Sequence, residues 1–216
     1  MHITDLLRTT INMAKAADDV KTSGGLWVST YKCGGVGYET RIHSAWSNMR
    51  GRCRPEFKAR LKTYEDCSYV TEWEDFQVFA DWYSSQTGYN VLCRKGRRYQ
   101  LDKDILLPGN KLYAPDTCVL IPQGLNTFLL DCGAQRGEYP QGVSLYKHNG
   151  KFRAYIRDDG AYIHLGTYAT AAEASLAYTE SKKRQADRWA SLIRKGEVVA
   201  DPRVIGAIER KFLEKK

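Results

Sequence analysis

The sequence contains no apolar run that approaches the ~20 residues needed to cross a bilayer. Its first residues also lack the succession of basic, apolar and small residues that makes up a signal peptide. These two absences argue against a membrane-spanning or secreted protein. We therefore expect an intracellular, cytoplasmic protein with no membrane partner.

Cysteine occurs, but it never occurs in a C-x-x-C pair. The scattered spacing indicates neither a zinc ribbon nor a disulfide framework, so reduced and mostly packed thiols are expected. The six cysteines are Cys33, Cys53, Cys67, Cys93, Cys118 and Cys132.

Acidic residues are outnumbered, since 33 Lys and Arg stand against 25 Asp and Glu and leave a net charge of +8. A basic protein of this kind favours a polyanionic partner such as nucleic acid. The length of 216 residues and the hydrophobic content of 43% allow one large domain or two small ones with a packed core.

Helical periodicity dominates the first part of the chain. It predicts a helix over residues 3–20, a basic amphipathic helix within 38–62 that runs into a loop at Pro55, and an aromatic-faced helix over 69–83. The aromatic residues at spacings of three and four are expected to form core. Between residues 91 and 126 the short apolar runs and turn residues predict a hairpin followed by a short helix or loop.

The C-terminal third predicts a three-stranded antiparallel meander followed by a helix. Its turns are expected at Asn149-Gly150 and Asp159-Gly160, as tight two-residue turns. The helix is expected to begin at Thr170, because Glu173 three residues later completes a capping box. Ala174, Ala177 and Tyr178 on this helix would cover the apolar face of the sheet.

The middle predicted strand alternates cationic or aromatic residues with apolar ones, so the helix leaves one polar face of the sheet open. Such a face suits the major groove of DNA, where Arg contacts guanine and Lys or Tyr holds phosphates. A solvated sheet face of ordinary charge explains the pattern equally well. The open-face residues of this strand are Lys151, Arg153, Tyr155 and Arg157.

About fifty residues here resemble the APETALA-two/ethylene-response-factor DNA-binding domain. The matching segments are Gly142-Val143, Gly150-Lys151-Phe152, Ala154-Tyr155-Ile156-Arg157, His164-Leu165-Gly166-Thr167-Tyr168, Glu173-Ala174 and Ala177-Tyr178.

The resemblance implies binding to double-stranded DNA. The family's paired arginines of the first strand are Ser144 and Tyr146 here, and its sheet tryptophan is His164, so base preference does not transfer. The implied groove-reading positions are Gln141, Ser144, Tyr146, Lys151, Arg153, Tyr155, Arg157, Tyr162 and His164.

Residues 38–130 resemble phage HNH-family endonucleases, including homing endonucleases. In viral proteins, a DNA-binding domain of the type described above commonly follows such an endonuclease. The matching segments are Arg41 to Met49, Arg52-Cys53, Glu72-Trp73, Leu101-Asp102-Lys103-Asp104, Gly109 to Tyr113, Pro115, Cys118, Gln123 and Asn126. For a phage-encoded protein, the expected compartment is the host cell cytoplasm.

This second resemblance implies a hairpin-plus-helix site that holds Mg²⁺ or Mn²⁺ through oxygen ligands. Asp102, Asp104 and Asn126 are the implied ligands and catalytic groups, and Lys103 is an implied phosphate contact. The family's hairpin histidine is missing, since Asp102 or Lys103 occupies its approximate place. Turn acids with a purely local role are the alternative for the two aspartates.

The expected fold class is α+β, with an N-terminal helical and ββα-metal nuclease domain and a C-terminal three-stranded sheet with a packed helix. The expected function is metal-dependent cleavage of duplex DNA. A DNA-binding regulator built on a decayed nuclease is the alternative. An RNA-contacting factor is a third possibility, which only the net charge favours. The expected segments are a lead at 1–37, the nuclease domain at 38–130, the DNA-binding domain at 136–192 and a helical tail at 193–216.

Overall fold

The structure is a computed structural model that describes residues 20–21, 24–28, 30–33, 36–39, 41–130, 137–158 and 160–214. The helix predicted over residues 3–20 lies outside these ranges apart from Val20, which begins the first strand. The described residues include no helix long and apolar enough to cross a membrane.

Two short hairpins precede the first described helix. Strand β1 (Val20–Lys21) pairs with β2 (Trp27–Val28), and β3 (Thr30–Cys33) pairs with β4 (Val36–Glu39), both antiparallel.

The basic amphipathic helix is confirmed, but it is shorter than the sequence indicated. Helix α1 spans Arg41–Arg52 and buries Ile42 and Met49. Pro55, predicted to lie in a loop, instead begins a second helix, α2 (Pro55–Arg60). Proline is favoured at the first helical position because its missing N–H would have no partner there.

The aromatic-faced helix is also confirmed, with a later start. Helix α3 spans Phe76–Ser85, because the Asp75 side chain accepts a hydrogen bond from the Gln77 amide and caps it. A short 3-10 helix, Thr71–Glu74, forms where the first turns of the predicted helix were expected. Trp73 and Phe79 are almost fully buried with their ring centroids 5.1 Å apart, so the aromatics form core as expected.

The predicted hairpin and short helix of residues 91–126 appear as two strand pairs and a helix. Strand β5 (Ser68–Tyr69) pairs in parallel with β7 (Leu112–Tyr113). Strand β6 (Gln100–Asp102) pairs antiparallel with β8 (Val119–Ile121), and Pro122 leads directly into α4 (Gln123–Leu129).

The predicted three-stranded meander is confirmed. Strand β10 (Lys151–Asp158) lies between β9 (Val143–Tyr146) and β11 (Ala161–Tyr168), and both pairings are antiparallel. Helix α5 (Ala171–Arg194) packs on this sheet, and its start carries the predicted capping box between Thr170 and Glu173.

One of the two predicted turns is wrong in length. Asp158 pairs with Ala161, so the second connection has the expected two residues. One of them, Gly160, has a φ of +88°. Tyr146 pairs with Lys151, so the first connection contains four residues. Asn149 and Gly150 close that longer loop, because both of their amides donate to the Tyr146 carbonyl.

Helix α5 extends beyond the sheet into the other half of the molecule. The boundary predicted between residues 192 and 193 falls inside it. Its second half buries Ala186 and Ile193 in a core shared with β8, α4 and α6 (Arg203–Phe212). The fold is therefore α+β, with small sheets that include the predicted three-stranded one.

Gly142 offers a test of the sheet's packing. Its φ is +75°, and an added Cβ would lie 2.1 Å from Tyr178 Cδ2 and 2.7 Å from the Tyr155 carbonyl oxygen. We expect Gly142→Ala to lower the free energy of unfolding by about 3 kcal/mol, from backbone strain and overpacking together. Urea denaturation measures this loss.

Gly150→Ala is the matched control for that substitution. Gly150 also has a positive φ, +69°, but no described heavy atom lies within 4 Å of its added Cβ. Strain alone should then cost about 1 kcal/mol. Equal losses in the two variants would show that Gly142 does not pack against Tyr178 in solution.

Candidate functional site

The open face of the sheet is built by strand register. Tyr146 lies opposite Lys151, and Ser144 lies opposite Arg153. His164 and Tyr162 lie opposite Tyr155 and Arg157. Residues directly opposite one another in an antiparallel pair share a face. The register therefore gathers eight predicted residues: Ser144, Tyr146, Lys151, Arg153, Tyr155, Arg157, Tyr162 and His164.

Gln141, the ninth predicted position, is placed differently. It precedes β9, and its amide donates to the Leu130 carbonyl at 3.1 Å. This hydrogen bond ties Gln141 to the end of α4 rather than to the strand register.

Thr167 joins the open face although the sequence did not single it out. A bulge lets Ala154 pair with Gly166 and Tyr155 with His164, so Leu165 has no partner on β10. The extra residue brings Thr167 and His164 to the same side, with Oγ1 and Nε2 3.4 Å apart. Gly166 inside a strand was the available signal, because such a glycine often marks a bulge.

Two arginines of this face stack on tyrosine rings. The Arg153 guanidinium carbon lies 3.2 Å from the centroid of Tyr146, and that of Arg157 lies 4.5 Å from the centroid of Tyr162. Arg157 also donates to the Tyr162 hydroxyl at 2.6 Å. Stacking holds a guanidinium in one plane and keeps its N–H donors at the edge, where they can bind an acceptor.

Negative charge is kept off the open face of β10. The only acid of this strand, Asp158, forms an ion pair at 3.0 Å with Arg188 of α5, on the covered side. The covered side is otherwise apolar, with Ala154 and Ile156 buried. The open face therefore presents cations and aromatic rings.

A second site lies in a cleft of about 600 Å³ between α1, β6 and α4. The four residues predicted for catalysis, Asp102, Lys103, Asp104 and Asn126, all line it. Three further cations line the same cleft: Arg41, Arg52 and Lys211.

Asp102 ends strand β6 and organises the turn that follows. Its Oδ1 accepts hydrogen bonds from the amides of Asp104 at 3.0 Å and Ile105 at 2.8 Å. Burial and the neighbouring Asp104 charge raise the pKa of Asp102, and these two hydrogen bonds and Lys103 oppose the rise. The carboxylate thus helps to fix the turn through these two hydrogen bonds.

Asp104 is not on a strand with Asp102. Because β6 ends at Asp102, the two aspartates do not share the face of a strand. Asp104 lies in the exposed turn and forms an ion pair at 3.1 Å with Lys103.

Lys103 is 7% exposed, and its ammonium donates to Asp104 and to the Asn110 carbonyl, each at 3.1 Å. These partners hold the ammonium inside the loop. Asn110 fastens the same loop, since its amide donates to the carbonyls of Lys103 and Leu112 at 2.7 Å each.

Asn126 lies on α4 and contacts β6. Its Nδ2 donates to Gln100 Oε1 at 2.6 Å, and Gln100 is two residues before Asp102 on the same strand. Residues two apart on a strand share a face, so the β6–α4 contact brings Asn126 and Asp102 to one side of the cleft.

The donor set fits a hard divalent cation only in part. The described residues contain no group of three or more His, Cys, Asp or Glu that could hold a metal ion. Mg²⁺, however, usually keeps several waters and takes one or two carboxylates together with substrate phosphates. Both hydrogen bonds to Asp102 fall on Oδ1, so its other oxygen and the Asn126 amide oxygen fit such a hydrated ion.

His43 does not supply the missing histidine. It packs against the rings of Trp46 and Phe76, with centroids 5.5 and 5.6 Å away. His43 is not among the residues that line the cleft. His43 therefore packs among aromatic rings instead of facing the cleft.

No protein-family model, curated protein or solved structure matches this chain.

Proposed function

We propose that this protein binds double-stranded DNA through the open face of β9–β11. The observation that carries the proposal is the register that places Lys151, Arg153 and Arg157 on one face beside four aromatic rings. Lys and Arg supply most of the affinity of DNA-binding proteins through phosphates, and Arg pairs with guanine edges. From Lys151 to Arg157 the strand spans roughly 20 Å, or about six base pairs.

We propose further that the cleft hydrolyses phosphodiester bonds in this DNA, as a metal-dependent endonuclease of the HNH type. The supporting observation is the succession of β6, β8 and α4, two paired strands and a helix, with Asp102 and Asn126 open to the same cleft. A divalent cation bound there, Mg²⁺ or Mn²⁺, would neutralise charge on the scissile phosphate.

The protein's own groups would position the substrate. Asp102 and Asn126 supply oxygen ligands, and Arg41, Arg52 and Lys211 supply positive charge on the cleft wall for the DNA backbone. Asp104 and Lys103, implied as a ligand and a phosphate contact, bind each other in the turn.

Sequence-directed DNA binding without cleavage is the competing function. Lys103 supports this function. It follows Asp102 near the place where the HNH resemblance implies a histidine, and its ammonium already donates hydrogen bonds to Asp104 and to the Asn110 carbonyl. An ammonium group has no lone pair, so it cannot act as the base that a hairpin histidine would supply.

A plasmid assay separates the two functions. Supercoiled DNA is incubated with the protein in Mg²⁺, in Mn²⁺ and in EDTA. The nuclease proposal expects nicked or linear product with a metal ion and none with EDTA. Intact plasmid in both metals, under conditions where a gel shift shows binding, would leave the DNA-binding function alone.

A further inference from the structure

A short basic hairpin lies between α3 and β6. Leu92 and Arg98 form an isolated antiparallel bridge, and the Cys93 amide donates to the Arg97 carbonyl at 2.7 Å. Gly96 turns the chain at φ +66°. The seven residues 92–98 contain no acid and four cations, which are Arg94, Lys95, Arg97 and Arg98.

One end of the basic hairpin lies beside the connection between β10 and β11. The Lys95 ammonium nitrogen lies 3.3 Å from the point that a Cβ on Gly160 would occupy. Gly160 lies in the connection between β10 and β11, and Arg157 is the last open-face cation before that connection. The Lys95 ammonium of the hairpin therefore lies beside a residue only three positions after Arg157.

At its other end the basic hairpin contacts α4, one of the elements that border the cleft. Arg97 donates to Gln123 Oε1 at 2.6 Å, and Gln123 is the first residue of α4. Asn126 follows three residues later on the same helix, and residues at this spacing are neighbours on a helix surface. One short element thus joins the β10–β11 connection to the first residue of α4.

We propose that the basic hairpin is a second contact for the DNA backbone, which carries a duplex bound on the sheet towards the cleft. The positive charge of the hairpin favours a polyanionic partner. Its positions beside Gly160 and against Gln123 give the direction in which the duplex would run. This inference rests on the proposed binding of duplex DNA by the sheet.

The test removes two exposed charges of the hairpin. Arg94→Ser/Lys95→Ser leaves intact Arg97, whose hydrogen bond to Gln123 fastens the hairpin. Lys183→Ser/Arg184→Ser is the matched control, because these two exposed cations lie on α5, behind the covered side of the sheet. Duplex affinity is measured for both variants and the wild type over a range of salt concentrations, with circular dichroism to verify the fold.

The hairpin variant should bind about tenfold more weakly and show a salt slope smaller by about one to two units. Its hydroxyl-radical footprint should shorten on one flank only, while the control variant behaves as wild type. A wild-type slope and footprint in the hairpin variant would overturn the inference and leave binding by the sheet intact. A wild-type protein that does not bind duplex DNA would overturn both proposals.

Discussion

Replacing Asp102 with asparagine should lower the rate of DNA cleavage by about 100-fold or more, the usual scale for losing one charge-stabilising group at an active site. The amide oxygen of asparagine can still accept the hydrogen bonds from Asp104 and Ile105, so the turn after β6 should persist. It lacks the negative charge of the carboxylate, the group through which proteins usually bind a hydrated divalent cation. Plasmid nicking in Mg²⁺ measures the rate, and a gel shift verifies that the variant still binds.

Asp104→Asn is the matched control, because it makes the same change two residues away. Asp104 contacts Lys103 in the exposed turn, so its loss should affect cleavage far less than the loss of Asp102. Asn126→Ala, which removes the second proposed ligand, should resemble Asp102→Asn. Cleavage by Asp102→Asn at the wild-type rate would refute the site. Loss of the fold in Asp102→Asn would show that the turn needs the charged carboxylate, and Asn126→Ala would then test the site.

The double substitution Arg153→Ala/Arg157→Ala should weaken duplex affinity by about 100-fold at low salt, and the salt slope should fall by about one to two units. Both guanidinium groups lie on the open face and stack on Tyr146 and Tyr162, so the variant loses two fixed cations without disturbing the buried side of β10. Fluorescence anisotropy with a labelled duplex at several salt concentrations measures both quantities.

Arg153→Lys/Arg157→Lys separates the two kinds of DNA contact. Lysine keeps the charge but lacks the planar, two-pronged donor that pairs with guanine. The salt slope should therefore stay near wild type while discrimination between duplex sequences falls. An unchanged slope in the double alanine variant would instead place the DNA on another surface, with the cationic residues of α1 and α2 as the next candidates.

Local sequence patterns predicted the C-terminal module closely. The period-two alternation around Arg153 set which side chains share a face, and Thr170 with Glu173 marked the start of α5. These features depend on neighbours a few residues apart, which a sequence displays directly. The length of the loop at Asn149-Gly150 and the bulge at Leu165 were not predicted, because each depends on which residues pair across two strands.

The grouping of residues in the cleft depends on contacts between residues that are distant in sequence. Asp102 and Asn126 were singled out from the chain, yet only the packing of α4 on β6, through Gln100 and Asn126, brings them to one side. The same folding brings Asp104 and the Asn110 carbonyl to the Lys103 ammonium.

The residue types and their spacing were thus sufficient for the α+β class, the strand faces of the C-terminal sheet and the N-terminal cap of α5, since these follow from local geometry. Tertiary structure decided that α5 continues into the second core and that the basic hairpin lies beside the β10–β11 connection and contacts α4. It also decided which polar groups are engaged and which face the cleft. Such contacts join residues tens of positions apart, and no periodicity along the chain encodes them.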